Sequence, residues 1–221
     1  GAQGLSQWQN LETQEALKSW QEAEVAYQSQ GDMEGMVGSM VNQLQALQAL
    51  GYYTPALKLA DRLQELLEVH RSALSPGLQL LGRRQLAQIG LQTGHLEQAL
   101  TLLQDSDRIP QSPQDMSVLR LNIGNVLRAL AHQNLRRRKT ETAQRYFHQA
   151  HTLYQSAQAL NPDPGTAREI AVNALTLSLE DPFQTDRIPK DLSQKALSVL
   201  QTLQDSAPEL AVFKMRLHLV Q

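Results

Sequence analysis

The sequence predicts an all-α fold, a right-handed solenoid of about five helix pairs, and three observations carry that expectation. The first is composition: 38 Leu, 29 Gln and 23 Ala stand among 221 residues with 5% aromatics, and all three residue types rank high on the helix scale. The second is an internal repeat in which Ala-Leu leads to an apolar residue three positions on. It occurs at Ala16-Leu17 to Trp20, Ala56-Leu57 to Ala60, Ala99-Leu100 to Leu103 and Ala196-Leu197 to Leu200, with Ala143, Phe147 and Ala150 as a fifth case. The third is a Gly five residues ahead of two anchors, Gly51 and Gly94, each followed two positions later by Tyr53 or Leu96. Such a Gly stops one helix in the left-handed conformation, and the bulky residue packs as the next helix begins.

Taken in order, helices are expected over 5–29, 33–50, 53–71, 76–93, 96–105, 114–135, 140–159, 165–180, 190–205 and 207–220. The first ends at Gln30-Gly31-Asp32 and the second at Gly51. Pro76-Gly77 opens the fourth, Gly94 closes it, and Pro110 with Pro113 ends the fifth. The sixth runs into the Arg136-Arg137-Arg138-Lys139 turn, Pro162 with Pro164 ends the seventh, and Pro182 with Pro189 ends the eighth. Pro208 falls inside the first turn of the last, where its missing donor is harmless. Every break is a joint between helices, so 1–221 is expected as one array with anchors near 16, 56, 99, 143 and 196.

A net charge of -2 removes the whole-surface positive field that most nucleic-acid and anionic-membrane binders use. The absence of Cys excludes disulfides, thiolate metal sites and cysteine nucleophiles from these residues. Apolar runs fall far short of the ~20 residues a membrane span needs. A soluble chain is expected, with the cytoplasm favoured over export, and the opening Gly1-Ala2 leaves room for an upstream segment.

The residues offer little chemistry. Among the six His, His148 and His151 alone have the i,i+3 spacing of two ligands on one helix face, and no third ligand stands near. Carboxylate pairs such as Glu65 with Glu68, or Asp105 with Asp107, have no motif partner to separate their pKa values. No phosphate loop, dinucleotide fingerprint or nucleophile elbow occurs. No catalytic residue, metal or cofactor is expected. The run Arg136 to Lys139 could meet an acidic protein partner, could meet nucleic acid as a helical sensor, or could be a solvated turn. It lacks the interleaved aromatics that stack bases, which disfavours nucleic acid.

More informative is a column of amides in the first helix of each pair. It appears in Val41-Asn42-Gln43-Leu44, Arg84-Gln85-Leu86-Ala87, Leu121-Asn122-Ile123-Gly124 and Val172-Asn173-Ala174-Leu175. One turn on stand Gln45, Gln88, Asn125 and Thr176, then Gln48 and Arg128. First helices line the concave face of a helix-pair solenoid, and an amide can both donate to and accept from a peptide backbone. Asn42, Gln45, Gln85, Gln88, Asn122, Asn125 and Asn173, with Arg84 and Arg128 as cations, are therefore candidates to bind a protein or peptide segment. The alternative is that they bond one another between adjacent helices.

Ile123-Gly124 followed by Ala143, Phe147 and Ala150 resembles the tetratricopeptide repeat. The anchor intervals of 40, 43, 44 and 53 exceed that family's period of about 34. The opening Glu15-Ala16-Leu17 to Trp20 with Ala26-Tyr27 and Gln30-Gly31-Asp32, and the segment 121–130, narrow the likeness to cyanobacterial proteins whose repeats precede a CHAT (caspase-like) domain. The resemblance implies a non-enzymatic scaffold that binds a partner segment on its concave face. Alternatively, it implies the regulatory or substrate-docking region of a CHAT-type peptidase whose catalytic His and Cys lie outside this chain. It also places Gly124 at a close helix approach, with Ala143 and Ala150 opposite. The last helix, 208–220, is apolar on too many sides for an outer cap, so self-association through uncapped ends is expected.

Overall fold

The computed structural model describes residues 2–9, 12–106, 108–109 and 112–183. The expected helices beyond 190, the Ala196 anchor and the apolar final helix lie outside the described residues. Within them every regular element is an α-helix: α1 (Ala2–Gln9), α2 (Thr13–Gln30), α3 (Met33–Ala49), α4 (Tyr53–Val69), α5 (Pro76–Thr93), α6 (Leu96–Ser106), α7 (Pro113–Arg136), α8 (Thr140–Gln158) and α9 (Pro164–Glu180). From α1 to α6 consecutive helices pack on each other in the manner of a helical solenoid, and α3 also packs on α5, the first helix of the next pair; further along the chain α8 packs on α9.

The helix ends follow local chemistry. Gly31, Gly51 and Gly94 take positive φ of 70°, 71° and 85° at three joints. Asp32 caps α3 by accepting from the Gly35 amide at 2.9 Å, and Asp163 caps α9 by accepting from Gly165 and Thr166. Pro76 and Pro164 open α5 and α9, where no donor is lost.

One expected helix is two. The span 5–29 breaks before Glu12, which adopts a non-helical φ of -84° and ψ of 65°. The cause is the indole of Trp20. In one continuous helix Trp8 and Trp20 would be ~18 Å apart, yet their rings lie 5.8 Å apart because α1 folds back on α2. A Cβ at Gly4 would collide with the Trp20 ring, so glycine there lets the indole pass beneath α1 and become buried.

The chain divides into two compact units, Gly1–Asp115 and Met116–Gln221. In the first, α3 is the central element. Nine of its seventeen residues are buried, among them Met40, Val41 and Leu44, against Leu63 and Leu67 of α4 and Ile89 of α5. A fully buried Leu or Met side chain contributes roughly 1.5–3 kcal/mol, so this helix anchors its neighbours. In the second unit α8 buries Ala143, Phe147, Ala150, Tyr154 and Ala157, a stripe with helical period. Its end is tied to α7 where Ser117 Oγ donates to the Ala157 carbonyl at 2.9 Å.

Candidate functional site

The burial of α3 leaves one narrow open strip. Gly38, Asn42, Gln45 and Gln48 are half-buried and Ala49 is exposed, positions that recur at three- and four-residue steps along one face. Gln43, next to Asn42, points about 100° away and into the core. There it donates to Glu24 Oε2 at 2.6 Å, while Arg62 Nη2 donates to Glu24 Oε1 at 2.8 Å. Neighbouring amides thus have opposite fates, and the helical phase decides which.

On α5 the corresponding strip is Leu81, Arg84, Gln88 and Gln92. Gln48 fixes the two strips side by side: it donates to Gln92 Oε1 at 2.9 Å and accepts from Gln85. Gln85 is itself buried, so this member of the amide column ties helix to helix. The side chains of Asn42 and Gln45 make no hydrogen bond to other described residues, and a Cβ added at Gly38 would meet nothing within 4 Å. On the α5 strip, burial lowers the Arg84 guanidinium from its ordinary pKa, with the Asp115 carboxylate acting in the opposite direction. The first unit therefore presents, on α3, two amides without a side-chain partner among the described residues and, on α5, a partly desolvated cation.

The second unit uses the same column differently. Asn122 donates to the Val118 carbonyl of its own helix at 2.9 Å, and Asn173 donates to Glu169 O at 3.1 Å. Asn125 Oδ1 accepts from the Tyr154 hydroxyl at 2.7 Å. Burial raises the pKa of that phenol. Arg128 reaches Asn173 Oδ1 at 3.4 Å and lies 3.9 Å from Glu180 Oε2, which also sits 2.8 Å from His132 Nε2. Here the column's donors are engaged within the unit. Composition could not separate the two halves, because the groups that engage Asn125 and Arg128, Tyr154 of α8 and Asn173 and Glu180 of α9, lie on other helices.

A cleft of about 260 Å³ lies between α4, α5 and α6, over a floor that includes Leu57, Leu86, Ile89 and Leu102. Gln98 closes one rim by donating to Gln64 at 2.9 Å. The cleft is lined by the second helices α4 and α6 and by the face of α5 turned away from its strip, and shares no lining residue with the amide strips. Nothing in the repeat pattern pointed to it beyond the small residues Ala60, Gly90 and Ala99 that shape it. Among the described residues no group of three His, Asp or Glu could hold a metal, and no helix is long and apolar enough to cross a membrane.

No family model matches this sequence. No curated protein matches it either. Among solved structures, the chain is similar to one described as the crystal structure of BtubC (BKLC) from P. vanneervenii. That match has 16% identity and a TM-score of 0.43, covering 94% of this chain and 87% of that one.

Proposed function

We propose that the chain is a non-enzymatic interaction module of tetratricopeptide type, binding an extended segment of a partner protein along the α3 and α5 strips. The observation that carries this reading is the pair Asn42 and Gln45, whose half-buried side chains have no hydrogen-bond partner among the described residues, on the open face of an otherwise enclosed helix. Such groups are hydrogen-bonded to water when the surface is empty. An extended backbone laid along α3 can replace that water, donating to and accepting from each amide. Arg84 supplies a charge-assisted contact to an acidic side chain of the segment. Each neutral bond adds only ~0.5–1.5 kcal/mol net, so affinity comes from several contacts and is moderate. The same surface would serve as a docking region if a CHAT-type peptidase module were attached, the alternative that the sequence resemblance implies.

Peptide display against the full chain tests this. Selected peptides should bind the parent and lose most of their affinity to an Asn42→Leu/Gln45→Leu variant with an unchanged melting point. Peptides that bind both proteins equally, or a selection that yields none above background, would overturn the reading.

A further inference from the structure

At the three joints α2–α3, α3–α4 and α5–α6 the residue with positive φ is glycine. At the α7–α8 joint it is Arg138, with φ of 58°. The hydrogen bonds there are those of a helix stop: Arg138 N donates to Leu135 O at 2.9 Å and Lys139 N to Asn134 O at 2.9 Å. A side chain with a Cβ is disfavoured in this conformation, and glycine fits it without cost. The position therefore carries an arginine against the preference of its own backbone.

That arginine completes a run. Arg136, Arg137, Arg138 and Lys139 are all exposed, and Arg145 stands exposed nearby on α8. None of the five forms an ion pair with a described residue, although Glu141 is close in sequence. Only Arg136 lies in the last turn of α7, where a cation complements the helix dipole, so helix stability does not account for the other three. Charge is also divided unevenly along the chain: Gly1–Asp115 holds 7 Lys and Arg against 13 Asp and Glu, while Met116–Gln221 holds 13 against 9.

We infer that the α7–α8 turn is a docking site for a short acidic segment of a partner protein, with Arg137, Arg138 and Lys139 as its contacts. A short segment fits better than a long polyanion. Beyond one Debye length, about 8–10 Å, the turn's field fades and the rest of a longer anion gains little from it. Single-stranded nucleic acid also needs exposed rings to stack on, and the adjacent Tyr146 is half-buried, with the Arg145 guanidinium 5.7 Å from its ring centre.

The test uses the full chain and a fluorescein-labelled oligoglutamate of about ten residues, read by anisotropy at low salt and at ~0.15 M, where screening is strong. The parent should bind the peptide and lose about tenfold affinity over that range. Arg138→Gly is the informative variant: it should weaken binding several-fold while raising the melting point by ~2–4 °C, because the left-handed strain is relieved. Arg168→Gln, which removes the same charge elsewhere in the same unit, should leave binding within about twofold of the parent, and so should Asn42→Leu/Gln45→Leu. The inference is overturned if Arg138→Gly binds like the parent, if Arg168→Gln weakens binding as much, or if single- or double-stranded DNA of matched charge outcompetes the peptide. It is also overturned if light scattering shows the Arg138→Gly change dissociating an assembly of this chain, since the occupant would then be a second copy.

Discussion

Gly124 on α7 lies against the ring of Tyr154 on α8: a Cβ at Gly124 would sit 2.5 Å from Tyr154 Cε1 and 2.9 Å from Cδ1. The small position expected from the repeat pattern is therefore real, but the side chain it admits is Tyr154, one turn beyond Ala150. The ring fills the space, and its hydroxyl reaches past the glycine to Asn125.

Replacing Gly124 with Leu should displace the phenol and cost about 1–3 kcal/mol through overpacking. Tyr154→Phe keeps the ring and removes the bond to Asn125, at a cost of ~0.5–1.5 kcal/mol. Urea denaturation of both variants checks the order. A Gly124→Leu protein as stable as the parent would mean that the two helices do not meet here.

The buried carboxylate of Glu24 depends on two donors from two other helices, Gln43 of α3 and Arg62 of α4. Gln43→Leu leaves the Oε2 side without its partner and should destabilise by ~1–3 kcal/mol. Gln43→Leu with Glu24→Leu should recover part of that loss, because no buried charge then remains. Thermal melts of the single and double variants, arranged as a mutant cycle, give the coupling.

His151 gives the second unit a pH dependence. Its Nε2 is 3.4 Å from Asp181 Oδ2 without hydrogen-bond geometry, and burial lowers its pKa more than the carboxylate raises it. The unfolded chain, with an ordinary His pKa of about 6.5, then binds the proton more readily than the folded one. Stability should fall as pH drops below about 6.5 and level off below the folded pKa. His151→Gln should flatten that part of the profile, as chemical denaturation between pH 5 and 8 would show.

The helices were legible in the sequence because their punctuation is local. Gly51, Gly94, Pro76 and Pro164 act on their own backbone, and the structure has joints at each. The α1–α2 break was not legible, since it depends on Trp20 finding Gly4 across a fold rather than on a Pro or Gly at the break. The amide column was legible as a pattern but not as a set of environments. Asn42 stays on the open strip of α3, whereas Gln85 is buried on α5 and donates to Gln48 across the helix pair. Gln43 could have been told from Asn42 by phase alone, given that Met40, Leu44 and Leu47 mark the buried side.

The central claim is that the open amides of α3, and not those of the second unit, meet a partner backbone. Side-chain amide resonances of the isotope-labelled full chain, followed while a display-selected peptide is added, address it directly. The account predicts that the Asn42 and Gln45 NH2 signals move and saturate together while those of Asn122 and Asn173 stay in place. Saturating shifts at Asn122 and Asn173 with Asn42 and Gln45 unmoved would contradict it.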